Sequence, residues 1–334
     1  MKNLLKKLTE INGPAGGEGK IRKIIRQEIN DLADEIKEDK MGNLIAFKEG
    51  KSSDHSIMLA AHMDEIGLIA THLDEDGFIR FSSIGGMSPY TLLGKRVIFN
   101  NDIPGVVDKE DKLDKISKLK HSKMYIDIGA KSRNEAQEKV SIGDTACYDS
   151  KFRDLGDRVI GKALDDRAGC AVLIETLREM ETPVYDTCFV FTVQEEVGLR
   201  GAKVSAYGIE PDVGIVVDLT LTGDRPEAKR MSVSLGKGPA IKIKDRSVLV
   251  NRELKDLMIE TAKEEDITYQ LEVLTRGGTD TGSIQLTKEG VIAGAVSIPG
   301  RYIHSPSEMI DINDLKQAKK LIFKLVNKKM KKLI

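Results

Sequence analysis

The run Ile57-Met58-Leu59-Ala60-Ala61 is apolar without a break and stops at His62-Met63-Asp64-Glu65. A strand with one wet face alternates apolar and polar residues, whereas an unbroken run marks a strand buried on both faces. The chain must therefore supply a sheet covered by helices on two sides. The same texture returns at residues 187–193, 212–217 and 290–298, between helical patterns at 168–180, 251–265 and 311–333. Apolar strands alternating with helices specify an α/β fold.

Two helices lead in. Leu4, Leu5, Leu8 and Ile11 fall at helical spacing until Asn12-Gly13-Pro14 stops them, and a second helix is expected over about residues 18–37, followed by a strand at 43–48. From residue 68 to 159 the texture changes to short β-branched or alternating runs, among them Phe78-Ile79-Arg80-Phe81, Arg96-Val97-Ile98-Phe99 and Met124-Tyr125-Ile126-Asp127-Ile128. Residues 1–67 plus 160–334 are thus expected to form one α/β unit, interrupted at 68–159 by an all-β insert. The charged stretches at 108–112 and 328–332 are read as solvated faces.

Lysine plus arginine number 52 against 53 aspartates plus glutamates, so no global field draws in nucleic acid or an anionic membrane, and neither is expected as a partner. No apolar run approaches the roughly 20 residues that a bilayer requires, and the first residues lack the apolar core of an export signal. A soluble, cytoplasmic protein is expected. Cys147, Cys170 and Cys188 are odd in number and lack CxxC spacing, which points to buried reduced thiols rather than disulfides or a thiolate metal site.

In open α/β sheets ligands gather at the carboxyl ends of strands, so the polar residues that close the apolar runs carry the chemistry. Residues 57–61 end in His62; residues 189–193 lead through Gln194 to Glu195-Glu196; residues 214–217 end in Asp218; and residues 296–298 lead on to His304. Asp165-Asp166 stands just before a helix, where capping is an alternative use for an acid. Adjacent acids at two places would repel one another in a folded interior unless cations or protons compensated. A donor set of His, Asp and Glu without cysteine suits zinc, cobalt or manganese. His55, His72 and His121 lie in charged, loop-like surroundings and are weaker candidates.

Four motifs in this order resemble one family: His62-Met63-Asp64-Glu65-Ile66-Gly67, residues 162–169 (KALDDRAG), residues 194–202 (QEEVGLRGA) and residues 301–306 (RYIHSP). They are similar to the TET-type metalloaminopeptidases, which include glutamyl and deblocking aminopeptidases and homologues that carry the name endoglucanase, and the likeness runs over essentially the whole chain. It implies a mixed central sheet flanked by helices, interrupted by a small PDZ-like dimerisation domain. It further implies an aminopeptidase that takes short peptides and holds two divalent ions, zinc, cobalt or manganese, with a metal-bridged hydroxide as nucleophile. Asp165 would bridge the ions, His62 and Asp218 complete one site, and Glu196 and His304 the other. Glu195 would be the general base. Adjacent residues of an extended segment point to opposite sides, which gives Glu195 and Glu196 different tasks.

Asp64 is expected to accept the free ring N–H of His62. The resemblance also implies a cis peptide between Asp165 and Asp166, substrate contacts from Gly278 and Asp280 in residues 276–281 (RGGTDT), and dimers that assemble into a tetrahedral dodecamer. The residues after Asp218 depart from the family's usual stretch. Glycoside hydrolysis by two carboxyl groups is the rival activity, but it leaves His62 and His304 without a task. A metal-stabilised scaffold without enzyme activity is the other alternative; it predicts closed coordination and no base.

Overall fold

The computed structural model describes residues 1–112, 115–228, 231–330 and 333–334; Lys331 and Lys332 of the expected charged stretch lie outside them. Among the described residues, eleven strands form one mixed sheet. Its centre is the parallel set Tyr185–Thr192, Ser52–His62, Val213–Leu221 and Ile292–Arg301. Leu44–Lys48 and Glu35–Glu38 extend one edge, and Glu308–Asp311, Arg158–Gly161 and Arg153–Asp154 extend the other. Ala240–Lys244 and Gln270–Val273 join along Ile292–Arg301.

The unbroken apolar run behaves as its pattern requires. Ile57, Leu59 and Ala61 face a core completed by the helices Leu164–Glu179, Ile312–Val326, Lys2–Thr9 and Gly19–Ile29, while Met58 and Ala60 face the opposite layer, built on Arg200–Ile209 and Asp280–Gln285. All five are fully buried. Burial on that scale contributes about 1.5–3 kcal/mol for each large apolar side chain.

Two expected helices are shorter than their patterns suggest. The second ends at Ile29, where the buried stripe of Ile21, Ile25 and Ile29 ends, and Glu35–Glu38 is a strand paired with Leu44–Lys48. Turn chemistry decides this: the Asp39 carboxylate accepts the amide N–H groups of Met41, Gly42 and Asn43 and closes a hairpin. The last helix stops at Val326.

The insert is a β domain. Gly67–Leu73, Ile79–Ile84, Met124–Asp127, Pro104–Lys109, Arg96–Phe99 and Thr145–Tyr148 close into a six-stranded antiparallel barrel around its own core, which includes Leu68, Phe81, Val97 and Ile126. The chain re-enters the large sheet at Arg153, whose strand pairs with Arg158–Gly161, so the boundary expected at 159 falls inside the sheet and moves earlier. Cys147 and Cys170 are buried, Cys188 is half-buried, and all three are free thiols.

Candidate metal centre

His62, Glu195, Glu196, Asp218 and His304 converge with Asp165 on a cavity of about 720 Å³ at the carboxyl end of the parallel strands. Asp165 stands between the histidines. One carboxylate oxygen lies 3.2 Å from His62 Nε2 and the other 3.5 Å from His304 Nε2. His62 Nε2 is also 3.9 Å from Asp218, and His304 Nε2 is 3.0 Å from Glu196.

Both rings are fixed from behind. His62 Nδ1 is 3.1 Å from the Asp64 backbone carbonyl, and His304 Nδ1 is 2.9 Å from the Gly86 carbonyl. A carbonyl only accepts, so each Nδ1 carries the proton and each Nε2 turns toward the carboxylates. Gly86 belongs to the barrel side of the chain, and a Cβ there would stand 2.9 Å from His304 Nδ1. Its lack of a side chain is what permits the approach.

The Asp64 carboxylate has a wider reach than the His62 contact expected of it. It lies 3.5 Å from His62 Nδ1, farther than the carbonyl of the same residue, and its two oxygens accept the amide N–H groups of Glu195 and Glu196 at 3.0 and 3.1 Å. Those two acids are not in extended backbone either. The strand ends at Thr192, Gln194 has φ 55°, and the Gly198 amide bonds to the Glu195 carbonyl, so the pair sits on a turn. Contacts, not strand alternation, separate them: Glu196 touches His304, whereas the Glu195 side chain makes no hydrogen bond or ion pair among the described residues.

Asp166 was not singled out as a ligand, yet it forms a buried group with His62 and Asp218, as Asp165 does with Glu196 and His304, with donor atoms within 4.8 Å of one another in each group. One Asp166 oxygen accepts the Gly169 amide at 2.9 Å, the N-cap pattern, and the other accepts the His62 amide at 3.3 Å. Its oxygens are thereby occupied with backbone. The Asp165–Asp166 peptide is cis. Gly278 lines the cavity. Asp280 does not reach it: fully buried, it accepts the Thr192 hydroxyl at 2.5 Å.

The electrostatics register the crowding. Burial, reinforced by neighbouring acids, pushes the carboxyl groups of Asp166, Glu195 and Asp218 well above the ordinary range. Burial alone would lower both histidines, but Asp165 and Asp64 raise His62 well above its usual value, and Glu196 and Asp165 push His304 up to about 10. Carboxyl groups and imidazoles that all hold on to protons, crowded in one buried place, form a set whose charge divalent cations would balance in the protons' stead. The donors fit such ions in type and in grouping.

Sequence reasoning missed three supporting acids and bases. Glu308, four residues past His304, accepts the amides of Asp165 and His304 at 3.0 and 2.9 Å. Lys162 holds both oxygens of Glu65 at 2.7 and 2.8 Å in the interior. The only local signal for Glu308 is an acid opening the apolar strand Glu308–Asp311, and Lys162 and Glu65 lie inside the quoted motifs without any pattern that pairs them.

Comparison with known proteins identifies the family. The profile of the M42 glutamyl aminopeptidase family matches residues 42–321. A protein of Acetivibrio thermocellus that carries an aminopeptidase name is 52% identical over 326 residues, 98% of each chain. An aminopeptidase from the archaeon Desulfurococcus kamchatkensis superposes with a TM-score of 0.95 at 37% identity, over 99% of this chain and 97% of that one. The Pyrococcus horikoshii TET1 peptidase, which can assemble into a tetrahedron or a large octahedral shell, gives 0.88 at 36% identity, over 98% and 99%. By sequence, fold and the matched profile, the chain belongs to the M42 glutamyl aminopeptidase family and is a metallo-aminopeptidase.

Proposed function

We propose that the chain removes N-terminal residues from short peptides with the help of two divalent cations. The observation that carries this reading is Asp165, with one carboxylate oxygen turned to each of two histidines that belong to separate groups of donors. On this reading His62, Asp165 and Asp218 would hold one ion, and Asp165, Glu196 and His304 the other. Zinc, cobalt or manganese bound there supplies Lewis acidity that polarises the scissile carbonyl and acidifies the attacking water.

The chain's own residues direct the rest. Glu195, on the cavity wall and without a competing partner among the described residues, takes the proton of the attacking water and returns it to the leaving amine. Asp64 holds the peptide that presents Glu195 and Glu196, so base and ligand keep their spacing. The acid-rich floor favours a free α-ammonium over a blocked N terminus. Gly278 leaves room beside the scissile bond, and Asp280 supports the wall from behind.

The reading extends to the assembly. The α/β unit is the catalytic domain, and the barrel, expected as PDZ-like, is the dimerisation domain of a cytoplasmic homo-oligomer whose dimers build a dodecamer. The tetrahedral assembly of the P. horikoshii TET1 peptidase supports this. None of the described helices is long and apolar enough to cross a membrane.

The decisive experiment strips the protein of metal, reconstitutes it with zinc, cobalt or manganese, and assays acidic, basic and apolar aminoacyl substrates with an N-acetylated control. Release from free N termini alone is expected, and silence with every ion would refute the reading. Glu195→Gln should retain both ions and lose turnover on the order of 10²–10⁴-fold. Full turnover in that variant would remove Glu195 as the base.

A further inference from the structure

Glu308 opens a strand that lies between Ile292–Arg301 and Arg158–Gly161, with Glu308 paired to Gly161 and Met309 to Arg301. Both neighbouring strands end at this level. The chain leaving one reaches His304, and the chain leaving the other reaches Asp165. Glu308 therefore stands where the two loops depart, and its carboxylate spans them: one oxygen accepts the Asp165 amide at 3.0 Å, the other the His304 amide at 2.9 Å. The residue is 2% exposed.

The backbone it grips is not relaxed. Ala163, Tyr302 and His304 hold φ values of 54°, 60° and 63°, left-handed positions that are strained for non-glycine residues. Amide bonds to a carboxylate are among the stronger hydrogen bonds available to hold such a turn. With both oxygens engaged, Glu308 is poorly placed to act as a ligand itself.

We propose that Glu308 is a positioning residue, tying together the two segments that bring Asp165 and His304 to one ion, so that it governs the affinity of the Asp165, Glu196 and His304 group. This rests on the two-ion reading above. Glutamine at this position is nearly isosteric but turns an NH₂ group toward one of the two amides, so one bond is lost. His304 serves only the one group, and the loss should fall there.

The test titrates metal-stripped wild type and Glu308→Gln with Co²⁺, following the visible absorption of bound cobalt, with circular dichroism to verify folding. The wild type should take up two ions. The variant should bind one as the wild type does and the other about 10–100-fold more weakly, with kcat falling by more than KM rises. Superimposable isotherms, or equal weakening of both steps, would overturn the proposal. A wild type that binds no cobalt would instead overturn the two-ion reading beneath it. If Glu308→Gln does not fold, Glu308→Asp decides: it keeps the charge but is too short to span both amides, and the same selective loss is expected, a wild-type isotherm being the refuting result.

Discussion

Replacing Lys162 with Met tests how the loops that carry the candidate ligands are anchored to the core. The Lys162 ammonium lies 2.7 and 2.8 Å from the two Glu65 oxygens, and both side chains are 3% exposed. Methionine nearly fills the same space, so the change deletes a charge rather than volume. Removing one member of a buried pair leaves the other uncompensated, at a cost of about 3–5 kcal/mol. Glu65 keeps the Gly13 amide at 3.0 Å and the Arg167 guanidinium at 3.7 Å, which places the loss at the lower end, about 3 kcal/mol. An unfolding entropy of about 2 cal/mol/K per residue over 334 residues makes this a fall in Tm of about 4 °C, measurable by calorimetry. Changing Glu65 to Leu in the same chain should restore most of the loss, because Arg167 still donates to the Leu8 and Ile11 carbonyls. A single variant within about 1 kcal/mol of wild type, or a double variant less stable than the single one, would refute the reasoning.

Two further outcomes are expected. Asp165→Asn should reduce metal content at both positions, whereas Glu196→Gln should cost only one ion per chain; elemental analysis after dialysis distinguishes them, and equal losses would deny Asp165 a bridging place. Burial pushes the Asp314 carboxyl up to about 6 from 3.8, against the amides of Gly236 and Gly238 and with Asp311 and Arg158 facing it. The folded chain thus holds the extra proton, so this group's contribution is complete below about pH 4 and is lost as pH rises through about 6, by about 3 kcal/mol. Asp314→Asn should remove that window, and urea midpoints at about pH 4 and 7.5 that shift in parallel with wild type would contradict it.

How far the sequence could be read depended on whether information lay along the strand or across it. Residues 57–61 announced a doubly covered sheet, and His62 and Asp218 could be found because each closes such a run. The hairpin at 35–48 was hidden because charged residues blurred the end of the Ile21, Ile25, Ile29 stripe and only the Asp39 side chain marks the turn. Glu195 and Glu196 were identified by adjacency, but their backbone was misjudged, since nothing local shows that Gln194 turns left-handed. Glu308, Asp166 and the Lys162–Glu65 pair act through contacts between strands distant in sequence, and a single chain carries no pattern for those.

The carbonyl of Gly86 has a consequence for how such chains can be recombined. The insert looks like a cassette, with both of its ends in the large sheet, yet it supplies the acceptor that sets the proton on His304. A Cβ on its neighbour Gly85 would come within 3.0 Å of Glu196. Any foreign β module grafted between the same two strands must therefore reproduce a carbonyl and two bare backbone positions, or the host loses the orientation of its own imidazole. Exchange between relatives should succeed when the incoming barrel carries glycines at the positions of residues 85 and 86, and fail when it places side chains there.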